Sequence, residues 1–183
     1  MKDKKVVLIT IIFLLVVLYV EVLWAESGSN QISDAMMNQL QRVFAGADFF
    51  ERYNGVLPEP KEGIVIHEIY KAFIQGKENG YIFKISSPGC NGDIVVLIAL
   101  SSLKNQIIGI QILEQNETPS VGDLITKPDF LIQFLNKPID AKFKLGDDIK
   151  AISGATISSS AVVKACQEAV SFLKIIQSEK ENN

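Results

Sequence analysis

The stretch Ser153-Gly154-Ala155-Thr156-Ile157-Ser158-Ser159-Ser160-Ala161-Val162 joins a turn of small residues to the start of a helical pattern. Gly154 lets the backbone approach a ligand closely, and the unpaired N–H groups at a helix start favour negative charge. The turn is therefore suited to holding a phosphate, with the Thr156 hydroxyl beside it as a nucleophile. An ordinary helix cap formed by Thr156 or Ser158 explains the same hydroxyls without a ligand, and both interpretations stand at this point.

The residues after this turn predict a long amphipathic helix from about Ser158 to Gln177. Apolar residues recur at spacings of three and four, at Ala161, Val162, Ala165, Ala169, Phe172 and Ile176. One face of the helix can therefore pack on a sheet. Such packing would fix the hydroxyl-rich turn against a rigid scaffold.

Upstream of the turn, apolar runs separated by Gly, Pro and Asn predict successive strands at 64–74, 81–86, 93–100 and 107–115. The last three suggest an antiparallel meander. The predicted fold class is α+β, an antiparallel sheet packed with helices.

Three further elements are predicted around this sheet. A helix capped by Ser33 or Asp34 is expected to run to about Tyr53. Residues 123–135 have helical character despite Pro128, and a strand is expected near 141–145 or 148–152.

The N-terminal residues predict one transmembrane helix. The apolar run Val6–Ala25 is long enough to span about 30 Å as a helix, and a cleaved signal peptide is the alternative. We favour a retained anchor because Leu23 spoils the small-x-small cleavage pattern and Trp24 suits a membrane interface. The predicted organisation is a membrane anchor at 1–25, a linker at 26–31 and a globular domain at 32–183.

The charges beside the anchor predict its orientation. Lys2, Lys4 and Lys5 precede it, whereas residues 26–37 contain no Lys or Arg. By the positive-inside rule the N-terminus is expected in the cytoplasm and the domain outside it, in a single-pass protein of the cell membrane.

A second motif, Glu117-Thr118-Pro119-Ser120-Val121-Gly122, lies between the last predicted strand and the helical region. Together with Ser153-Gly154-Ala155-Thr156, and in the same order, it resembles the FMN-binding domain family. That family includes the G subunit of the Rnf electron-transport complex and the C subunit of the sodium-pumping NADH:quinone oxidoreductase. Read without this resemblance, Glu117–Gly122 is a plain Pro-containing loop.

The resemblance implies that FMN is bound covalently, as a phosphoester on Thr156. Ser153, Gly154, Ala155 and Ser158 would complete the attachment turn. Noncovalent contacts to the ribityl chain or ring edge would come from the upstream loop, at Glu117, Thr118, Pro119 and Gly122. A flavin transferase would make the ester, which keeps an outward-facing cofactor from being lost.

The resemblance further implies a flavin-carrying electron-transfer subunit of a membrane-bound Rnf-type complex. Such complexes couple electron flow between ferredoxin and NAD to ion translocation, with other membrane subunits as partners, so this subunit alone is not expected to turn over a soluble substrate. The alternatives are a C-type subunit of the quinone reductase, a stand-alone extracellular flavoprotein electron carrier, and a non-redox anchored binding module. Lys150 bears on the last of these, because it stands where the family usually has Asp.

Several classes of function are disfavoured. The chain has 18 basic and 21 acidic residues, a net charge of −3 and no dense basic stripe, so we expect no nucleic-acid partner. The lone His67 reads as a surface residue on a strand, and we expect no metal site. Cys90 and Cys166 lie far apart in the sequence; we expect two unpaired thiols, with a disulfide as the alternative outside the cytoplasm.

Overall fold

The computed structural model describes residues 14–17, 31–57, 59, 61 and 63–181. The chain divides into two units, residues 1–33 and 34–183. Residues 14–17 are helical, and the rest of the predicted anchor, together with most of the linker at 26–31, lies outside the described residues. Within the described ranges, none of the helices has the length and apolar character needed to cross a membrane.

The first helix of the larger unit, α1, spans Asp34–Val43 and is shorter than predicted. The expectation that it runs to Tyr53 is wrong, because Gly46 has a φ of +87° that turns the chain out of the helix. The strand β1, Phe49–Arg52, follows instead. Its Phe49 ring stacks on Phe73 of the neighbouring strand with 4.5 Å between ring centroids.

The remaining four strands form an antiparallel meander, which the sequence predicts for the last three of them. They are β2 (Val65–Ile74), β3 (Lys77–Pro88), β4 (Asp93–Ser101) and β5 (Gln106–Glu114). The sheet has the order β1-β2-β3-β4-β5, and each strand pairs antiparallel with the next. The α+β prediction is thereby confirmed for this part of the chain.

The C-terminal helix, α3, spans Thr156–Glu181 and begins at the predicted turn. It packs on β3 and β4. The shared core includes Phe83, Val96, Ile98, Val162, Ala169 and Leu173, each at most 1% exposed. Since each large apolar side chain buried this fully contributes about 1.5–3 kcal/mol, the packing holds the start of α3 firmly at one end of the sheet.

The opposite face of the sheet carries α1. On β5, Gln111 alternates with Ile110 and Ile112, which pack on the core under α3, so Gln111 points to the other side. Its amide donates a 2.6 Å hydrogen bond to Gln39 of α1. The domain is therefore layered as helix, sheet and helix.

The segment between β5 and α3 is less regular than predicted. The helical character expected at 123–135 is present in short pieces: 3-10 turns at Gly122–Thr126 and Ile132–Phe134, and a short helix α2 at Pro128–Leu131. Pro128 is the first residue of α2, where its missing N–H costs no helical bond.

The strand expected at 141–145 or 148–152 is absent, and these described residues contain only an isolated bridge between Leu145 and Ile149. The Asp148 carboxylate accepts hydrogen bonds from the N–H groups of Phe143 (3.1 Å) and Lys144 (2.7 Å). A side chain thus satisfies backbone donors that a strand would have used in a ladder.

Candidate functional site

Three segments meet around a cavity of about 290 Å³ at the end of the sheet where α3 begins. They are the turn between β3 and β4, the loop after β5 and the first turn of α3. The lining residues are Cys90, Glu117, Thr118, Val121, Gly122, Gly154, Ala155, Thr156, Ile157 and Ser158. The two motifs singled out in the sequence, although far apart along the chain, therefore share one cavity.

Glu117 joins these three segments. Its side chain is only 6% exposed. Carboxylate oxygen Oε1 accepts hydrogen bonds from the N–H groups of Cys90 (2.9 Å) and Asn91 (3.0 Å). The other oxygen, Oε2, accepts a hydrogen bond from the Ser158 hydroxyl. Oε1 thus binds the turn between β3 and β4, and Oε2 binds the first turn of α3.

The hydrogen bonds keep Glu117 ionised. Burial by itself would raise the pKa of the carboxyl, but the donors on Asn91, Ser158 and Cys90 outweigh it and lower the pKa below its ordinary value of 4.5. The cavity therefore has a fixed negative charge in its wall at neutral pH.

The loop that carries Glu117 is closed by its own backbone. The Thr118 carbonyl accepts from the N–H groups of Val121 (3.2 Å) and Gly122 (2.9 Å), and the Thr118 hydroxyl accepts from the Asn91 side-chain amide (3.1 Å). Pro119 is exposed and does not line the cavity. Of the predicted loop residues, Glu117, Thr118 and Gly122 thus reach the cavity and Pro119 does not.

Gly122 lies where a side chain would not fit. A Cβ at this position would come within 2.7 Å of Glu117 Cβ, 2.8 Å of Glu117 Oε2 and 3.0 Å of Ser158 Oγ. The absence of a Cβ therefore lets the loop close on the Glu117–Ser158 hydrogen bond.

The hydroxyls at the start of α3 differ sharply in their surroundings. Ser158 is 1% exposed and donates to Glu117, and Ser159 is fully buried. The Ser159 hydroxyl donates to the Ala155 carbonyl (2.8 Å) and accepts from the Ile152 N–H (3.1 Å). Thr156, by contrast, is exposed and lines the cavity.

The remaining predicted turn residues, Ser153, Gly154 and Ala155, differ in whether they line the cavity. Gly154 has a φ of +77°, the left-handed conformation that brings the chain into the helix, and it lines the cavity with Ala155. Ser153 is exposed and lies outside the lining.

The start of α3 supplies backbone N–H donors to the cavity, and no positively charged side chain accompanies them among the described lining residues. The backbone ladder of α3 begins with the bond from Ser159 N–H to the Ala155 carbonyl (2.9 Å), so the N–H groups of 156–158 precede it. Among the lining residues the structure describes, there is no Lys, Arg or His. An anionic group here would rely on helix N–H groups and on any covalent bond it makes.

Three lining residues were not predicted from the sequence: Cys90, Val121 and Ile157. Val121 is 37% exposed and Ile157 is 58% exposed. Their side chains add apolar surface beside the polar groups of the cavity, a combination typical of small-molecule sites. Ile157 could have been found from the sequence, because it is an apolar residue next to Thr156 that does not belong to the buried apolar face of α3.

The cysteines and His67 show no sign of disulfide or metal chemistry among the described residues. Cys90 is exposed, Cys166 is buried, and the two are unpaired. His67 is exposed on β2, as expected. No group of His, Cys, Asp and Glu side chains suited to a metal ion occurs among the residues that the structure describes.

The cavity fits an FMN in its chemistry. The donors at the helix start suit a phosphate, Thr156 offers an accessible hydroxyl, and the exposed Val121 and Ile157 suit a flat aromatic ring. The volume is near the lower limit for small-molecule sites, which fits a cofactor that remains partly exposed.

Comparison with known proteins agrees with this chemistry. Residues 89–171 match the family model of the FMN-binding domain. The G subunit of an ion-translocating oxidoreductase complex from Methanosarcina acetivorans is 41% identical over 100 residues, which are 54% of this chain and 53% of that protein. The chain thus aligns with little more than half the length of that relative.

Two further proteins resemble the chain. Shewanella oneidensis NqrC, a solved structure, aligns with a TM-score of 0.48 and 25% identity over 59% of this chain and 61% of that one. The G subunit of a proton-translocating ferredoxin:NAD(+) oxidoreductase complex from Clostridium ljungdahlii is 33% identical over 141 residues, 74% of this chain and 70% of that protein. At that identity and coverage, the chain belongs to the G-subunit family of ion-translocating oxidoreductase complexes, with a match to the FMN-binding domain over the residues that form the cavity.

Proposed function

We propose that this chain is the flavin-carrying electron-transfer subunit of a membrane-bound Rnf-type complex, with FMN joined to Thr156 by a phosphoester. The observation that carries the proposal is the sorting of hydroxyls at the start of α3. Ser158 and Ser159 are buried and hydrogen-bonded, whereas Thr156 is exposed on the cavity. Ser153 is exposed as well but lies outside the cavity lining, so Thr156 is the motif hydroxyl that is both exposed and on the cavity.

The chain's own residues would divide the work of holding the cofactor. Thr156 Oγ1 would carry the ester, and the N–H groups of the first helical turn would solvate the phosphate oxygens. Val121 and Ile157 would flank the ring, while Glu117, Thr118 and Gly122 would form the wall behind it. FMN, when bound, supplies the redox chemistry, and the protein supplies placement and electrostatics.

A covalent bond suits a cavity of this composition. No described lining residue is cationic, and the wall contains the Glu117 carboxylate. The described lining therefore offers no ion pair from Lys or Arg to strengthen the binding of a phosphate. An ester at Thr156 would retain the cofactor without them.

The proposed setting is the cell membrane, because the relatives are named as subunits of ion-translocating complexes. Residues 1–25 would anchor the chain and place 32–183 outside the cytoplasm, with other membrane subunits of the complex as partners. Protease added to spheroplasts should digest the domain. Complete protection, while a known external domain is cut, would contradict this orientation.

The central test is the attachment of FMN in the full chain, produced in membranes together with a flavin transferase. Intact mass and in-gel ultraviolet fluorescence under denaturing conditions should show one FMN-sized addition in the wild type. Thr156→Ala should lose it. The matched control Ser153→Ala removes an exposed hydroxyl of the same turn and should keep it.

Helix capping makes a competing prediction for the same variant. If Thr156 only caps α3, Thr156→Ala costs about 1 kcal/mol of stability and leaves the flavin content unchanged. Retention of the full FMN mass in Thr156→Ala would refute the assigned attachment site.

Co-purification separates the remaining alternatives. A complex component should purify with other membrane subunits, whereas a stand-alone extracellular carrier should purify alone with its flavin. An anchored binding module should lack flavin in both settings.

A further inference from the structure

We infer that Glu117 is a positioning residue: its carboxylate clamps the turn at Cys90 and Asn91 to the first turn of α3 at Ser158, and places an uncompensated negative charge in the cavity wall. The ligand's identity rests on the proposed function. The clamp itself rests only on the contacts of this chain.

The hydrogen bonds of Glu117 leave it little capacity for a direct role. An ionised carboxylate accepts at about four lone-pair sites and donates none. Two sites on Oε1 are used by the N–H groups of Cys90 and Asn91, and one on Oε2 by Ser158. The family resemblance implies a contact from Glu117 to the ligand, and the geometry instead points to a brace between segments that line the cavity.

The clamp joins three segments that are distant along the chain. The turn at Asn91 follows β3, Glu117 follows β5, and Ser158 belongs to α3. A second hydrogen bond, from the Asn91 amide to the Thr118 hydroxyl, is exposed and therefore weaker in water. The bonds to the buried Glu117 carboxylate should dominate in setting the distance between the turn and the helix.

The charge has a separate consequence. The carboxylate is 6% exposed, and no lining Lys, Arg or His among the described residues offsets it. Coulomb interactions are stronger in such a partly dry site than in water. Adding electrons to a bound redox group beside this charge is therefore disfavoured, and removing the charge should shift the midpoint potential to a more positive value.

Two substitutions separate the clamp from the charge. In Glu117→Gln, the amide oxygen can still accept from Cys90 and Asn91, and the NH₂ group can donate to Ser158, whose hydroxyl then accepts. This variant keeps the clamp and loses the charge. Glu117→Ala loses both. Glu114→Gln is a matched control, because Glu114 is an exposed carboxylate three positions away at the end of β5.

The first measurement needs no flavin. Hydrogen–deuterium exchange of the full chain in detergent, produced without a flavin transferase, reports on the peptide that contains Cys90 and Asn91. Exchange there should be about tenfold faster or more in Glu117→Ala, because two amides lose their acceptor. It should be close to the wild-type rate in Glu117→Gln and Glu114→Gln. Wild-type exchange in Glu117→Ala would overturn the clamp.

The second measurement uses chains made with a flavin transferase. Glu117→Ala should have several-fold lower FMN occupancy, and Glu117→Gln should have wild-type occupancy with a more positive midpoint potential. An unchanged potential in Glu117→Gln, or a shift of the same size in Glu114→Gln, would overturn the electrostatic part. If the wild type itself carries no flavin, the proposed function fails, while the exchange experiment still decides on the clamp.

Discussion

Replacing Gly122 by alanine tests how closely the loop must pack on the Glu117–Ser158 hydrogen bond. Gly122 is not among the glycines with positive φ, so an alanine backbone is allowed there and the cost is steric. The new Cβ would lie 2.7 Å from Glu117 Cβ, whereas carbon atoms pack best at about 3.5–4.0 Å. The loop would have to move by roughly 0.8 Å or more to relieve the contact.

The loss of stability has two sources: the close contact with Glu117 and the weakening of its hydrogen bond with Ser158. Overpacking of a tight site costs about 1–3 kcal/mol, and weakening the buried hydrogen bond adds to it. The lower chain entropy of alanine in the unfolded state offsets about 0.4–1 kcal/mol. We expect a net loss of about 2–3 kcal/mol in the free energy of unfolding, or roughly 4–12 °C in Tm for a domain of this size.

Urea denaturation and thermal unfolding of the flavin-free chain measure this loss directly. Gly122→Val should lose more than Gly122→Ala, because a larger side chain needs more space at the same contact. An alanine variant within about 0.5 kcal/mol of the wild type, the usual range for surface substitutions, would show that the loop moves freely and would refute the reasoning.

Two further predictions concern acid and the transferase. The folded-state pKa values of Glu117 and Asp148 are both lowered, so the stability these groups contribute is complete above their ordinary pKa values of 4.5 and 3.8 and is lost as the pH falls below them. Unfolding free energy measured against pH should decline in that acid range, with a shallower slope in Glu117→Gln. Lys150 is exposed, and its hydrogen bonds to the described residues are those of its backbone with the Gln133 side chain. If the lysine hinders the transferase, Lys150→Asp should raise the rate of FMN incorporation measured by time-resolved mass spectrometry, and an unchanged rate would show that it does not.

The strands of the sheet were predictable where local sequence decides them. β2 to β5 are runs rich in apolar residues and bounded by residues that favour turns, and most residues of β3 and β4 are buried. β1 was not predictable. The sequence predicts a helix that continues through Phe49–Arg52. These residues form a strand instead, because β2 offers an edge to pair with.

In the site too, some features can be predicted from the local sequence, whereas others depend on residues that are distant along the chain. A helix start at Thr156 and a tight loop at Glu117 can be inferred from residue types. The burial of Ser158 cannot, because it depends on Glu117, 41 positions away. Cys90 likewise lies beside the cavity with its N–H bonded to Glu117, which is 27 positions away.

Ser120 illustrates how a departure from a motif is accommodated. It stands where the resembled family usually has Gly, and its φ is +61°. That conformation is one that glycine adopts without strain and serine adopts at a cost. The Thr118 carbonyl, which accepts from the N–H groups of Val121 and Gly122, supplies bonds that hold the turn in spite of this.

The chemistry of the cavity wall bears on the kind of attachment that the site needs. The N–H groups at a helix start bind phosphate, and cationic side chains strengthen that binding. The described lining offers the N–H groups at 156–158 without a cation. The ionised side chain in that lining, Glu117, opposes an anion and is committed to holding the walls together. The same carboxylate adds rigidity and weakens the binding of free phosphate. The proposed ester on the exposed Thr156 would therefore retain the cofactor in a cavity whose described lining offers no cation.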